Sequence, residues 1–338
     1  LRDLCRRPVM VAPMAGGPST PELVVAAAEA GGLGFLAAGY KAADAVAAEI
    51  KAVRAATGGA FGVNVFLPQP PADPAVVRAY VASLEPEAAA LGATLGEPAW
   101  DDDGWEAKLS VLLADPPPLV SFTFGCPPAD VLAAFRHAGT LTMATVTTPE
   151  EAALAATAGA GCLCVQGTEA GAHRGSFTND DRPGQDWTLL GLLAEVPRVT
   201  GLPLVAAGGI AGPQGLAAVR AAGAVAAQVG TAFLLCPESG THPVYRAALT
   251  DPAYTATAVT RAFSGRPARG LVNRFLVAHP DAPPAYPEIN NATRPLRAAA
   301  AARGDAGGLS LWAGQAWRAA TARPAGEIFD HMAGGSTF

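Results

Sequence analysis

The chain has 338 residues, of which 50% are apolar and 15% are charged, so it can bury a large core and is not typical of a disordered protein. Its 23 basic and 29 acidic residues give a net charge of −6 without a basic run, which argues against binding nucleic acid through phosphate groups. The length exceeds that of a typical single domain but suits one large α/β barrel with an appended region.

Neither secretion nor membrane insertion is indicated. The first seven residues lack the apolar core of a signal peptide, and long uncharged stretches such as residues 152–168 are interrupted by glycine and polar residues. The five cysteines, an odd number, argue for a reducing compartment. Cys162 and Cys164 share one face of a predicted strand without further ligands nearby, so we predict a structural role and no metal site. We expect a cytoplasmic protein without membrane contact.

Short apolar segments alternate with alanine-rich helical segments over the first 236 residues, the pattern of a parallel sheet built from βα units. Strands are predicted at residues 8–13, 34–37, 61–65, 119–123, 141–146, 162–166, 204–207 and 226–229. The clearest helices are predicted at residues 21–30, 42–56, 129–138, 149–158, 187–196 and 214–222. Eight such units favour an α/β fold of the (β/α)8 TIM barrel type over an open doubly wound sheet.

Two regions depart from this alternation. Residues 67–118 are predicted as an insertion with an extra helix, an acidic turn and three consecutive prolines. Residues 237–308 are predicted as a loop-rich, mainly helical region that covers the substrate at the barrel mouth. Residues 309–338 are predicted to form a helix from Leu309 to about Ala322 and a tail that packs back on the barrel.

The active site of such a barrel lies where the strands end, in the βα loops. After the first strand, Met14 is followed by small residues that let a flat ligand approach the backbone. Asn64 is a polar side chain in the apolar third strand, and two interpretations are open. Its amide can be satisfied across the barrel, or it can contact a bound heterocycle.

The densest polar cluster follows the sixth strand, at QGTEAGAHRG in residues 166–175. A lone histidine is more often structural, but His173 lies near glycines at the barrel mouth, beside Glu169 and Arg174. Because imidazole exchanges protons near neutral pH, we predict that His173 is catalytic or contacts the substrate. Surface or packing roles are predicted for the other histidines, His137, His242, His279 and His331.

The seventh strand ends in Gly208-Gly209 and the eighth in Gly230-Thr231. Barrels often bind phosphate between these two loops and a nearby helix N-terminus, so a phosphate site is predicted there. The residues alone leave open whether the phosphate belongs to a sugar phosphate or to FMN. A Walker loop and a strand–GxGxxG–helix fingerprint are both missing from the sequence, which disfavours ATP and a Rossmann-type NAD site.

Taken in order, these motifs resemble class I nitronate monooxygenases, and the resemblance covers nearly the whole chain. The matching segments are PMAGG at residues 13–17, GFLAAGYK at 34–41, FTFG at 122–125, QGTEAGAHRG at 166–175, AAGGI at 206–210, PLR at 295–297 and LWAGQ at 311–315.

The resemblance implies non-covalent FMN and the oxidation of alkyl nitronates, such as propionate 3-nitronate, by O2 to a carbonyl compound and nitrite without NAD(P)H. It implies that His173 is the active-site histidine, a base toward neutral nitroalkanes, whereas an anionic nitronate is already deprotonated. The residues implied to contact FMN are Met14, Asn64, Gln166, Gly171, Gly208, Gly209, Gln228, Val229, Gly230 and Thr231.

Lys41 and Ala172 bear on the substrate site that the resemblance implies. We expect Lys41 and His173 to make the pocket partly positive for the substrate anion, with packing or surface roles for Lys41 as alternatives. Ala172 stands where the family usually has glycine, and a methyl group there is tolerated at negative φ but strained otherwise.

The nearest competing interpretation is a flavin-dependent enoyl-acyl-carrier-protein reductase, which shares the barrel, FMN and a Glu-Ala-Gly-Gly-His loop but needs NAD(P)H. Tyr40-Lys41 and Arg174 favour the nitronate enzyme. A phosphosugar isomerase or aldolase barrel is expected to place a lysine or paired carboxylates at strand ends, where only Lys41 stands. A barrel that binds FMN or phosphate without catalysis is a third alternative. The composition permits a homodimer without requiring one.

Overall fold

The structure is a computed structural model that describes residues 1, 3–180 and 186–334. Its strands in chain order are β1 (Val9–Val11), β2 (Leu33–Ala37), β3 (Phe61–Phe66), β4 (Leu119–Thr123), β5 (Leu141–Val146), β6 (Cys162–Gln166), β7 (Ala172–His173), β8 (Leu204–Ala207), β9 (Ala226–Val229), β10 (Thr257–Thr260) and β11 (Ala268–Leu271). Eight of them, β1–β6, β8 and β9, are parallel and close into a barrel in which β9 pairs with β1. The predicted (β/α)8 barrel is therefore confirmed.

Helices follow most of the barrel strands, and others lie in the insertion and after β9. They are α1 (Pro21–Glu29), α2 (Ala43–Ala56), α3 (Pro74–Ser83), α4 (Glu85–Leu91), α5 (Trp105–Ala114), α6 (Ala129–His137), α7 (Pro149–Ala158), α8 (Leu189–Glu195), α9 (Pro213–Ala221), α10 (Pro243–Thr250), α11 (Arg274–Ala278), α12 (Glu288–Ala302) and α13 (Ala325–Ala333). At α7 the hydroxyl of Thr148 accepts from the backbone N–H of Glu151, and Gly159 ends the helix at φ +99°. Within the described ranges, every helix is too short or too polar to cross a membrane.

The strands are buried on both sides, because helices pack outside and side chains fill the inside. All six residues of β3 are buried, including Asn64. Phe35, Met143, Cys162 and Cys164 pack together in the barrel interior. The two cysteines are free thiols in this cluster and act as small apolar residues.

The insertion between β3 and β4 holds three helices, α3 to α5, where the sequence indicated one. A second sheet was also missed: β10 and β11 form an antiparallel hairpin, and β7 joins it as a third strand. The region after the barrel is therefore not purely helical. The strands escaped notice because β10 has only four residues and β7 only two, too few to show an alternating pattern.

The helix predicted from Leu309 to about Ala322 is wrong. This segment is extended up to a 3-10 turn at Trp317–Ala319, and its backbone pairs with β11: Leu271 donates to the carbonyl of Leu311 at 2.8 Å. Pairing with a strand edge satisfies the backbone groups that a helix satisfies internally, so tertiary contacts override the local pattern. The last helix is α13, where Phe329 packs on Phe233 with ring centroids 5.3 Å apart. Residues 335–338 of the predicted tail lie outside the described residues.

Candidate active site

A cavity of about 870 Å³ opens where the barrel strands end, between the barrel and the segments that follow β9. Every residue predicted above to bind cofactor or substrate, or to catalyse, lines this cavity. The volume lies in the range of pockets that enclose a small-molecule ligand. The structure thus brings the predicted site residues together, while their individual roles stay predictions.

The turn after β8 lets its backbone approach neighbouring groups closely. Gly208 and Gly209 have φ of +114° and +70°, a region that favours glycine. A Cβ on Gly208 would lie 3.0 Å from the amide nitrogen of Ala170, and a Cβ on Gly209 would lie 3.2 Å from Cβ of Glu169. Such turns suit a phosphate site because they expose backbone without side chains.

The segment that was mistaken for a helix completes this side of the cavity. The backbone N–H groups of Gly314 and Gln315 donate to Thr231 Oγ1 and to the carbonyl of Glu169, both at 3.0 Å. A Cβ on Gly171 would lie 2.4 Å from the nitrogen of Gly314, so the two backbones cross at a separation that leaves room only for glycine. Sequence reasoning missed Gly314 as a site residue, although it lies in the LWAGQ segment.

Two amides in the barrel mouth differ in how fully their polar atoms are paired. Asn64 Nδ2 donates to Ser121 Oγ at 2.9 Å and to Thr123 Oγ1 at 3.0 Å, as expected for an amide satisfied across the barrel. Gln228 Nε2 lies 3.4 Å from Cys164 Sγ, but Gln228 Oε1 is buried and has no partner in the described part of the chain. Since an unpaired buried acceptor costs about 1–3 kcal/mol, this oxygen is suited to a ligand that donates a hydrogen bond.

Residues 172–175, which include His173, are held by hydrogen bonds from β6 on one side and from the hairpin on the other. Gln166 Nε2 donates to the carbonyl of His173 at 3.0 Å, and Gln166 Oε1 accepts from the N–H of Gly175 at 2.8 Å. Arg174 donates to the carbonyl of Gln166 at 3.0 Å, so it ties this segment to β6. Pairing of His173 with Ala268 adds the hairpin on the other side. Gln166 therefore positions the histidine backbone, whatever contact it makes with a cofactor.

The His173 imidazole lies among aromatic rings. Its centroid is 5.7 Å from that of Phe124, 5.9 Å from that of Tyr286 and 5.6 Å from that of Trp312. Its Nε2 lies 2.9 Å from Ser264 Oγ, within hydrogen-bonding distance. The ring is thus oriented by one polar partner and three aromatic contacts.

Burial, together with the positive charges of Arg266 and Arg297, lowers the pKa of His173 to about 3. The imidazole is therefore neutral at physiological pH and adds no positive charge to the pocket. Arg266 is fully buried, with its guanidinium 4.0 Å from the centroid of the Phe124 ring, and it donates to Gln69 Oε1 at 2.8 Å. The positive charge expected of His173 is therefore wrong, mainly because burial disfavours the charged imidazole and secondarily because of the neighbouring arginines.

Lys41 lines the cavity, but its charge is compensated. Its Nζ lies 2.6 and 2.7 Å from the two carboxylate oxygens of Glu49 on α2. The positive potential at this end of the cavity therefore depends more on Arg294 and Arg297, which also line it. Sequence reasoning did not single out either arginine for this purpose, because both lie on α12, far along the chain from the barrel motifs.

Backbone strain is concentrated at the cavity. Tyr40, Phe124 and Ala172 line it, and all three have left-handed backbones, with φ of +67°, +75° and +62°. Ala172 therefore has the strained conformation that a methyl group disfavours, at a cost of roughly 1–2 kcal/mol. Such strain clusters at functional sites, where the surrounding structure enforces it.

The acidic turn of the insertion fixes Tyr40. Asp103 Oδ1 accepts from the backbone N–H of Tyr40 at 2.8 Å, and Asp103 Oδ2 lies 2.7 Å from Nζ of Lys108. The Lys108 side chain is fully buried, with 0% exposure. Burial raises the pKa of Asp103, and the ion pair with Lys108 opposes that rise. The insertion thus shapes the cavity, a role that its sequence did not reveal.

Other cavity residues were missed or assigned elsewhere. His242, predicted as a surface or packing residue, lines the cavity mouth and caps α10 through Nδ1. Ser264, Asn290 and Trp312 also line it. Trp312 lies in the LWAGQ segment, which the sequence analysis singled out only for its resemblance to the family. Nothing in the local sequence indicated that Ser264 and Asn290 line the cavity or that Ser264 meets His173.

The chain is similar to known proteins along nearly its whole length. Residues 1–334 match the family model described as nitronate monooxygenase. The chain is 42% identical over 340 residues to a nitronate monooxygenase of Pseudomonas aeruginosa, covering 96% of this chain and 94% of that protein.

Two solved structures extend the comparison. A nitroalkane oxidase from Streptomyces ansochromogenes has a TM-score of 0.95 at 53% identity, covering 98% of this chain and 96% of the other. FabK from Thermotoga maritima has a TM-score of 0.74 at 27% identity, covering 98% and 93%. The family match spans both the barrel and the later segments that close the cavity. The chain belongs to the nitronate monooxygenase family, and it is an oxidoreductase.

Proposed function

We propose that the chain binds FMN in this cavity and oxidises alkyl nitronates with O2, releasing a carbonyl compound and nitrite. The observation that carries the proposal is the charge of the cavity wall. Arg294 and Arg297 line it in addition to the paired Lys41, and no aspartate or glutamate lines it among the described residues. Such a wall favours an anionic cofactor and an anionic substrate over a cationic or neutral pair.

The residues present fit FMN. The glycine turns at Gly208-Gly209 and Gly230-Thr231 would hold the phosphate. The unpaired Gln228 Oε1 would accept from an N–H group of the ring system, and Met14 and Asn64 would line its surface. When bound, FMN supplies the electron transfer from nitronate and the reaction with O2. The region at 237–308 would then cover the substrate.

His173 would orient the substrate more than deprotonate it. With a pKa of about 3, its imidazole is a weak base at neutral pH, so a neutral nitroalkane gains little from it. A nitronate is already an anion and needs no proton removed. The neutral ring can still exchange a hydrogen bond, and Ser264 restricts its orientation. We therefore propose nitronates, and not nitroalkanes, as the preferred substrates.

The first test is whether the purified protein contains flavin. The purified protein should be yellow and should release FMN on heat denaturation, and a colourless protein without FMN would contradict the proposal. Anaerobic mixing with propionate 3-nitronate should bleach the flavin absorbance, whereas NADPH should not. Bleaching by NADPH alone would favour an enoyl-acyl-carrier-protein reductase. Flavin that neither compound bleaches would favour a barrel that binds FMN without this catalysis.

A variant separates the two possible tasks of the histidine. His173→Asn should lower kcat/KM for nitronates by roughly 10-fold, the effect of losing one oriented hydrogen bond in the site. If His173 were instead an essential base, the variant should lose neutral nitroalkane turnover far more than nitronate turnover. Steady-state rates with ethyl nitronate and nitroethane, measured on flavin-loaded protein, distinguish these outcomes.

A further inference from the structure

The His173 imidazole has two ring nitrogens, and the protein provides a partner for one of them. Nε2 lies 2.9 Å from Ser264 Oγ, whereas Nδ1 is neither hydrogen-bonded nor fully buried within residues 1, 3–180 and 186–334. Because His173 lines the cavity, Nδ1 is the nitrogen that remains for a ligand. With a pKa of about 3 the ring is neutral at physiological pH, so one nitrogen carries a hydrogen and the other a lone pair.

Ser264 has a fixed place beside this ring. It is 1% exposed and lies in the turn between β10 and β11. The N–H groups of Ser264 and Gly265 donate to the carbonyl of Arg261 at 3.1 and 2.7 Å. Gly265 has a φ of +76°, and a Cβ there would collide with the backbone of Ala285 just before α12. The turn is therefore packed closely, and Ser264 Oγ cannot move far from Nε2.

The hydroxyl of Ser264 holds one hydrogen and has two acceptors to choose from. The backbone N–H of Arg266 donates to Oγ at 3.4 Å. The hydroxyl itself can donate to His173 Nε2 at 2.9 Å or to the carbonyl of Arg266 at 3.2 Å. In the first case Nδ1 carries the imidazole hydrogen, and in the second case Nε2 carries it and Nδ1 has the lone pair. The direction of this hydroxyl thus decides what His173 offers to a ligand.

The charge of the ligand favours one of the two directions. A nitronate has acceptor oxygens and no N–H or O–H group, so it is attracted by a ring nitrogen that carries hydrogen and repelled by a lone pair. The distances favour the same direction, since Nε2 is the nearer acceptor. The Arg266 carbonyl then loses the longer hydrogen bond, and the charge-assisted bond to the anion is the stronger of the two.

We propose that Ser264 is a positioning residue that sets the tautomer of His173. Its hydroxyl donates to Nε2, so that Nδ1 carries the imidazole hydrogen and donates a hydrogen bond to the anionic substrate. The inference rests on the proposed function and adds to it the means by which a neutral histidine binds an anion. The contact transfers no proton, so it needs no titrating imidazole.

The direct test is ¹⁵N NMR of the flavin-loaded protein with labelled histidine, in which the His173 signals are those lost in His173→Asn. Nitrite, an anion with two acceptor oxygens, is the probe. With nitrite the parent should show a protonated Nδ1 and an unprotonated Nε2, and Ser264→Ala should show the reverse. A parent with the hydrogen on Nε2, or a Nδ1 signal that nitrite leaves unchanged, would overturn the proposal. The parent's tautomer in Ser264→Ala would do the same.

Steady-state kinetics test whether Ser264 acts through the histidine. Ser264→Ala should lower kcat/KM for ethyl nitronate about 10-fold, the effect of one lost hydrogen bond. In the His173→Asn background the same change should cost less than about 2-fold, because the ring on which Ser264 acts is gone. Losses that add in the double variant would indicate a structural role and contradict the proposal.

Ser239 provides the matched control. It is a buried serine whose hydroxyl donates to the carbonyl of Pro18 at 3.3 Å, and it is not among the described residues that line the cavity. Ser239→Ala should keep kcat/KM within about 2-fold of the parent and leave the His173 tautomer unchanged. A reversed tautomer in this variant would mean that any buried hydroxyl has the effect, which would overturn the assignment to Ser264.

The spectrum also separates this inference from the proposed function, because it requires no turnover. A protein that carries the hydrogen on Nδ1 with nitrite bound but oxidises no nitronate would refute the function and keep the role of Ser264. A protein that oxidises nitronates with the hydrogen on Nε2 would refute the role of Ser264 alone. If Ser264→Ala does not fold, the spectrum of the parent still decides between the two tautomers.

Discussion

The cavity has two walls that are built differently. One, here called the glycine wall, consists of Gly171, Gly208, Gly209, Gly230 and Gly314, where backbones approach one another or a ligand. The other, the aromatic wall, consists of Tyr40, Phe124, His173 and Arg297, which come from four separate segments, and the Tyr286 ring contacts those of Phe124 and His173. At Gly171, Gly208 and Gly314 the glycine wall is limited by space, since an added Cβ would lie 2.4, 3.0 and 3.0 Å, respectively, from a backbone atom of another segment. The aromatic wall depends instead on buried charges and strained backbones that hold its side chains. Changes to the two walls should therefore have different consequences.

The largest effect is expected at Asp103, which holds Tyr40 of the aromatic wall through a backbone hydrogen bond. Asp103→Asn removes the counter-charge of the fully buried Lys108, so the free energy of unfolding should fall by about 3–5 kcal/mol in urea denaturation at pH 7. The double variant Asp103→Asn/Lys108→Met should recover most of this loss, because no buried charge is left unpaired. Flavin bound per folded chain should not change. A double variant as unstable as the single one would mean that the ion pair is not the source.

A smaller loss of stability, with a loss of cofactor, is expected at the glycine wall. Gly171→Ala places a Cβ 2.4 Å from the nitrogen of Gly314, so the two segments must move apart, at about 1–3 kcal/mol. Bound flavin, measured from absorbance per chain, should drop at least several-fold. Gly201→Ala is the control, since its Cβ meets nothing within 4 Å, and it should retain flavin. Full flavin content in Gly171→Ala would show that the crossing does not shape the cofactor site.

A gain in stability is expected where the aromatic wall is strained. Ala172→Gly relieves a φ of +62° and should raise the free energy of unfolding by about 0.5–1 kcal/mol. Ala153→Gly in the middle of α7 should have the opposite sign, about 0.5–1 kcal/mol destabilising, because glycine costs backbone entropy in a helix. Thermal and urea unfolding measure both. If both variants are destabilised alike, the strain at Ala172 is relieved by its surroundings.

The smallest effect is expected in the pH dependence of kcat/KM and of stability, through His173. Because the pKa of His173 is about 3, its imidazole stays neutral from pH 5 to pH 8, and kcat/KM for a nitronate should show no inflection from it in that range. Stability behaves differently, since the unfolded chain binds this proton below about pH 6.5 and the folded chain does not. Folding should therefore weaken as pH falls from about 6.5 towards 3, and less so in His173→Asn. An inflection near pH 6.5 in the parent alone would indicate an ordinary, titrating histidine.

The two walls also differ in how well the sequence predicts them. The glycine wall was largely predicted, because glycine pairs directly after barrel strands indicate a turn next to a ligand. The aromatic wall was mostly missed. Ser264 lies 91 residues from His173, and only the hairpin β10–β11 brings them together. In the glycine wall the exception is Gly314, which was wrongly predicted to be helical together with Trp312, since no local pattern shows that their segment pairs with β11. Contacts made across such distances are decided by tertiary packing, and side-chain types alone do not indicate them.

The crossing of Gly171 and Gly314 has a consequence for the order of events during synthesis. Gly314 donates to Thr231, 83 residues earlier, and Gln315 donates to Glu169, so the cavity gains this wall only after residues 314 and 315 have been made. The barrel strands end at Val229 and are available for pairing well before that point. A ribosome-bound chain that stops short of residue 314 thus has a barrel whose mouth stands open. A ligand that needs this wall would therefore bind only after the strands of the barrel have been made.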